Sequence, residues 1–102
     1  MLVKVDSKLK ALDGTVIVDN DGKGNAVEAT VRMALVNAIL SPVQKETGME
    51  KVKKYELAKR IHDTDEVELS PEEIELIKDR VGEIYTPVVV GQVLELLGDS
   101  DE

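Results

Sequence analysis

Apolar and polar positions along this chain change period several times, and each change marks an element. Residues 8–12 and 15–18 alternate like strands on either side of Asp13-Gly14. Asp-Gly between two such runs signals a tight hairpin, because a primed turn needs positive φ and glycine adopts it without steric penalty. With Asp13 and Gly14 as the two turn residues, Leu12 faces Thr15, Ala11 faces Val16, Lys10 faces Ile17 and Leu9 faces Val18. That register puts Leu9, Ala11, Val16 and Val18 on one face. Residues 2–5 have the composition of a further short strand, so the reading is a hairpin unit over 1–19, followed by a polar loop over 19–24.

The period then lengthens. Asn25 with Glu28 has the form of an N-cap and its reciprocal acid, predicting a helix over 26–40 that stops before Pro42. Its apolar residues, among them Val27, Val31, Met33, Leu35, Val36 and Ile39, go almost all round, the signature of a buried helix. Thr47 with Glu50 repeats the capping box and opens a helix over 48–61. Glu66-Val67-Glu68-Leu69 alternates briefly, as an edge strand or an extended linker. Ser70-Pro71-Glu72-Glu73 combines a cap, a proline suited to the first helical position and a closing acid. The helix it opens, 71–85, carries Ile74, Ile77, Val81, Ile84 and Tyr85 as one amphipathic stripe. Thr86-Pro87 breaks the chain and starts a last helix over 87–97, with Gly98 as its stop and 99–102 as a frayed acidic tail. The expected architecture is α+β and mostly helical: one domain over 1–98, with an N-terminal β-hairpin followed by four helices and the first helix buried.

Composition narrows the chemistry. At 102 residues, halves of the chain would be too small for good cores. Phe, Trp and Cys are absent and there are two Tyr. The core is therefore aliphatic, base-stacking surfaces are disfavoured, and disulfides and thiolate metal sites are excluded. Absence of cysteine points to a reducing compartment, and neither a signal peptide nor a membrane-length apolar run is visible. The net charge of −8 repels phosphate backbones, so direct nucleic-acid binding is not expected.

Several stretches invite a functional reading. Residues 19–30 imitate a calcium loop, with Asp19, Asp21 and Gly24 at the first, third and sixth positions. The imitation fails at the fifth, Lys23, and at the twelfth, Thr30, where a bidentate acid is required, so a plain strand-to-helix loop is the better reading. His62, the sole histidine, has no nucleophile or second ligand placed near it by the sequence, and its position at a helix C-terminus suits the helix dipole. Asp63, Asp65, Glu66, Glu68, Glu72, Glu73 and Glu75 put seven carboxylates into thirteen residues. They form either a solvated face or a docking face for a basic partner. Lys51, Lys53, Lys54, Lys59 and Arg60 point several ways round one helix, as salt-bridging surface residues do. The last helix has a wide apolar arc, from which Val89, Val93, Leu96 and Leu97 could close the core or serve a partner or a second copy. No catalytic residue, metal ligand or cofactor site emerges.

Taken in order, Leu12-Asp13-Gly14, the run from Ala34 to Leu40, the run from Lys51 to Ala58, Val67-Glu68-Leu69-Ser70 and the run from Val90 to Leu97 resemble small accessory proteins of tailed bacteriophages and prophages. The resemblance covers most of the chain and is architectural. It implies a viral, cytoplasmic protein of the bacterial host cell, without an activity or residues to transfer. The expectation is a non-enzymatic accessory protein that binds a host or viral protein, as an assembly chaperone or host-takeover factor. The alternative is an acidic mimic of nucleic acid that inhibits a DNA- or RNA-handling enzyme, which needs the carboxylates between 63 and 75 in a spaced array on one surface. A small enzyme would instead need a pocket gathering His62 with two or more carboxylates.

Overall fold

The computed structural model describes residues 1–20 and 23–98. The acidic tail at 99–102 lies outside the described residues, as do Asp21 and Gly22 of the calcium-like loop. The elements are β1 (Leu2–Lys4), β2 (Val18–Asn20), β3 (Ala26–Glu28), α1 (Val31–Leu40), α2 (Gly48–His62), β4 (Glu66–Glu68), α3 (Pro71–Ile84) and α4 (Pro87–Leu97). Four helices and two small antiparallel sheets make the expected α+β, mostly helical architecture.

The later helices begin where their local chemistry places them. Thr47 and Glu50 close one capping box, and Ser70 and Glu73 close another. In each, the hydroxyl accepts an orphan amide and the acid accepts the cap's own N–H. Pro71 and Pro87 occupy the first turns of their helices, and Gly98 ends α4 in the left-handed conformation. The short strands flagged near residues 2–5 and 66–69 both form and pair with each other: Val3 opposes Val67 and both are buried, while Lys4 stands opposite Glu66.

The start of the chain departs from its local signals in two ways. The hairpin around Asp13-Gly14 is present, but its register is shifted by one residue. Lys10 bridges Val16, the Ala11 amide donates to the Thr15 carbonyl (2.8 Å), and the Ile17 amide donates to the Leu9 carbonyl (2.9 Å). The loop therefore has three residues, Leu12, Asp13 and Gly14. Gly14 donates back to the Ala11 carbonyl (2.9 Å) with φ at 91°, the turn-plus-left-handed-glycine form of hairpin loop. Asp13 fixes it by accepting from the Thr15 amide and hydroxyl (3.0 and 2.7 Å). The shift turns Leu9 and Ile17 to the core together and leaves Val18 exposed, so the shared face differs from the one expected.

The second departure is the start of α1. Asn25 caps nothing helical, and 26–28 pairs as β3 with β2: Val18 with Glu28, Asp19 with Val27, Asn20 with Ala26. The helix begins at Val31, with Thr30 as its cap accepting from the Met33 amide. Long-range pairing decides this. The Val31 and Arg32 amides donate to the Ser7 and Val5 carbonyls (2.8 and 2.7 Å), which pins the helix start against the N-terminal segment. Leu9, Ile17 and Ala29 meanwhile hydrogen-bond in a ring, each segment to the next.

Around this corner the core assembles. α1 lies between α2 and α3, and α4 packs on α3. Leu35, Ala38 and Ile39 of α1 are fully buried with Val3, Val5, Ile61, Leu69, Ile77, Val81, Val93 and Leu97. α1 is central but not buried all round, since Asn37 and Leu40 face outward. Gln92 ties α4 to the hairpin by imitating a strand neighbour. Its Oε1 accepts from the Lys10 amide (2.8 Å) and its Nε2 donates to the Lys10 carbonyl (2.6 Å). Among the described residues no helix is long and apolar enough to cross a membrane.

Candidate functional site

The acidic stretch is divided among three elements and laced with cations. Asp63 is the C-cap of α2 beside His62 (3.2 Å). Asp65 pairs with Arg32 (2.5 Å), Glu66 stands across from Lys4, and Glu68 receives the Met1 amine (2.5 Å). Glu73 pairs with Arg60 (2.9 Å) while closing its capping box. Burial pushes the Glu73 carboxyl up, but the hydrogen bond and charge of Arg60 and the bonds from Ser70 outweigh it and hold it below the usual glutamate range. Glu72 and Glu75 extend into solvent from the first turns of α3. Asp65, Glu68 and Glu73 thus each face a cation and Asp63 the imidazole, while Glu72 and Glu75 remain in solvent.

The apolar arc of the last helix is divided too. Val89, Val93 and Leu97 recur every fourth residue and close the core, and Leu96 is half-buried against it. Three of these four residues are therefore out of reach of a partner. Of residues 19–30, 19–20 lie in β2, Ala26–Glu28 form β3 and Thr30 caps α1, so a strand and not a helix precedes the calcium-like motif. Among the described residues, no group of three or more His, Asp or Glu side chains could hold a metal ion, and His62 meets one carboxylate, Asp63.

Two other surfaces stand out, both on α2. The first is an open groove of about 220 Å³ between α1 and α2, lined by Val36, Leu40, Tyr55, Ala58, Lys59 and His62. Leu40 is 54% exposed and Tyr55 59%. Val52, one turn before Tyr55, is 48% exposed and extends the apolar strip. No carboxylate lines this groove, and its charged or chargeable members are Lys59 and His62. The apolar side of α2 was visible in its sequence as Val52, Tyr55, Leu57, Ala58 and Ile61. Leu57, Ala58 and Ile61 go to the core, and the first two stay outside.

The second is a cleft of about 500 Å³ between the loop joining α1 to α2, the first turns of α2 and the C-terminal half of α3. Arg80 lines it and is 8% exposed, the one buried charged residue among the described residues. Its Nη2 donates to the Ser41 hydroxyl (2.5 Å) and its Nε–H is buried with no partner. Such an orphan costs about 1–3 kcal/mol. Sequence reasoning passed over Arg80. The available signal was Leu76 four residues earlier, which widens the apolar side of α3 towards it.

No family model matches this chain, and neither a curated protein nor a solved structure matches it.

Proposed function

We propose that this chain is a non-enzymatic, protein-binding accessory factor of a tailed phage or prophage, working in the bacterial cytoplasm, and that it takes an acidic amphipathic helix of its partner into the groove between α1 and α2. The observation that carries this reading is the pairing of exposed Leu40, Val52 and Tyr55 with the Lys59 ammonium at the groove. Exposed apolar strips of this kind are kept where something covers them, and tyrosine is among the residues that dominate interface energetics. On a chain of net charge −8, a groove lined by Lys59 and His62 and free of carboxylates selects a partner segment of negative charge. A helix laid in a groove uses anchors at i, i+3 or i+4 and i+7, a spacing suited to the strip from Val52 to Lys59.

The test is a selection of random helical peptides against the purified protein, followed by affinity measurement on the intact domain. Recovered sequences should be acid-rich and amphipathic, and Tyr55→Ala and Leu40→Asp should each weaken binding by roughly tenfold or more. Enrichment of no such sequence, or binding indifferent to both substitutions, refutes the reading. Self-association that Tyr55→Ala abolishes would replace the partner helix with a second copy of the chain.

A further inference from the structure

We infer that the cleft beside Arg80 is a binding site for a small phosphate-bearing molecule, with Arg80, Lys45 and Lys53 as the groups that hold its oxyanion. The cleft is lined by Val43, Gln44, Lys45 and Glu46 of the connecting loop, Glu50, Lys53 and Lys54 of α2, and Leu76, Asp79 and Arg80 of α3. Its charges sort themselves by existing bonds. Lys54 and Glu46 form a nearly buried ion pair with each other. Glu50 is occupied in capping α2, accepting from the Thr47 amide (2.9 Å). Set aside the pair of Lys54 and Glu46, and Lys45, Lys53 and Arg80 stand against the charges of Glu50 and Asp79, and neither lysine nor Asp79 has an ion-pair partner among the described residues. On a strongly acidic protein this is a local excess of positive charge.

Arg80 makes the cleft more than a patch of surface lysines. A guanidinium over nine-tenths buried, with one N–H satisfied by Ser41 and its Nε–H orphaned, is a donor held ready for an acceptor the protein does not supply. Planar donors of this kind match phosphate oxygens, and flanking ammonium groups add charge without fixing geometry. Lys45 reaches the rim from a backbone with φ at 66°. A lysine in that conformation is strained, and such residues gather at ligand-binding positions. The volume is in the range of small-molecule sites and well beyond phosphate alone, and Asp79 can accept hydroxyls from the remainder of the molecule.

The experiment is a titration of ¹⁵N-labelled protein with inorganic phosphate and with glycerol phosphate, against sodium chloride at matched ionic strength, reading the Arg80 Nε–H resonance and the backbone amides. The expected result is a saturable shift of the Arg80 resonance and of the amides of Lys45, Lys53 and Asp79 by at least one phosphate probe and not by chloride. Lys45→Gln and Lys53→Gln, both surface changes that leave the fold alone, should each weaken binding by roughly tenfold, the value of one charge-assisted contact. Arg80→Lys should weaken it further. Linear shifts shared with chloride, saturable binding that ignores both lysine variants, or an unmoved Arg80 resonance would each overturn the assignment. These readouts are independent of the groove between α1 and α2.

Discussion

Replacing Arg80 by methionine removes a buried charge while keeping an unbranched stem of similar length, and the opposing terms can be estimated from its surroundings. Loss of the Nη2 bond to Ser41 (2.5 Å) forfeits a charge-assisted contact of about 1.5–3 kcal/mol. Ser41 is not stranded by the change, because its hydroxyl still donates to the Ala38 carbonyl (2.6 Å). Against that loss stands removal of the orphan Nε–H, about 1–3 kcal/mol, together with the desolvation of a guanidinium that is 8% exposed. Substituting a well-fitting apolar residue for a buried ionic group is often neutral or stabilising. Arg80→Met is therefore expected to leave stability unchanged or raise it by about 1 kcal/mol, a midpoint shift of roughly 0.5 M in urea. Arg80→Lys keeps a charge in the same place without the fork and should be the less stable of the two. Urea denaturation with an unchanged slope reads both. A loss of 2 kcal/mol or more in Arg80→Met would show that the arginine is structurally satisfied and would refute the reasoning. If stability rises while phosphate no longer binds, the arginine is retained for its ligand at the expense of the fold.

Gln92→Ala removes both bonds to the Lys10 backbone and should cost about 1–2 kcal/mol. Hydrogen exchange should show the 8–17 hairpin opening first, and an unchanged exchange rate there would count against the clamp. Leu35→Ala, at a fully buried position of α1, should cost about 2–5 kcal/mol by calorimetry or urea, and a loss below 1 kcal/mol would mean that α1 is not central. The Glu73 carboxyl is held below its ordinary value of 4.5, so its contribution is present above that value and lost as pH falls through the lower folded value. Glu73→Gln should therefore lower the melting temperature at pH 7, with the gap closing as pH falls below 4.5, and a gap that widens in acid would reverse the sign of the argument.

What was legible in the sequence was local. Thr47 with Glu50 and Ser70 with Glu73 are side chains bonding backbone three residues away, and helices α2 and α3 start where those bonds require. The Asn25 and Glu28 pair has the same local form and fails, because strand pairing of 26–28 with 18–20, and the donation of the Val31 and Arg32 amides to Ser7 and Val5, hold that stretch extended. The hairpin slip has a similar origin. A two-residue and a three-residue loop both use Gly14 at positive φ, and the choice rests on which residues reach the core, Leu9 with Ile17 or Leu9 with Val18. The pairing of the acidic surface was hidden from the sequence for a related reason. Sequence density of acids at 63–75 says nothing of Arg32, the Met1 amine and Arg60, which arrive from elsewhere in the fold to meet them. Nor could the bonding partner of Arg80 be read from α3 alone, since it is Ser41, 39 residues away.

The distribution of cations gives the two proposed sites a common basis. α2 carries Lys51, Lys53, Lys54, Lys59 and Arg60, a spread that in the sequence suggested salt bridges all round. In the fold, Arg60 and Lys54 do form such bridges, with Glu73 and Glu46. Lys59 goes to the apolar groove on one side and Lys53 to the cleft on the other. Of its fifteen residues, α2 buries Leu57, Ala58 and Ile61, so most of the helix is free of packing duty. A helix held by so few residues, and carrying unpaired cations on a chain that is otherwise acidic, is placed to present charge outward. Its two flanks differ in what they offer: apolar strip and ammonium on one, guanidinium and ammonium around a polar cleft on the other. The first fits a macromolecular segment with its own apolar anchors. The second has Leu76 and Val43 as its only large apolar lining, too little to anchor a helix, and so fits a small polar anion.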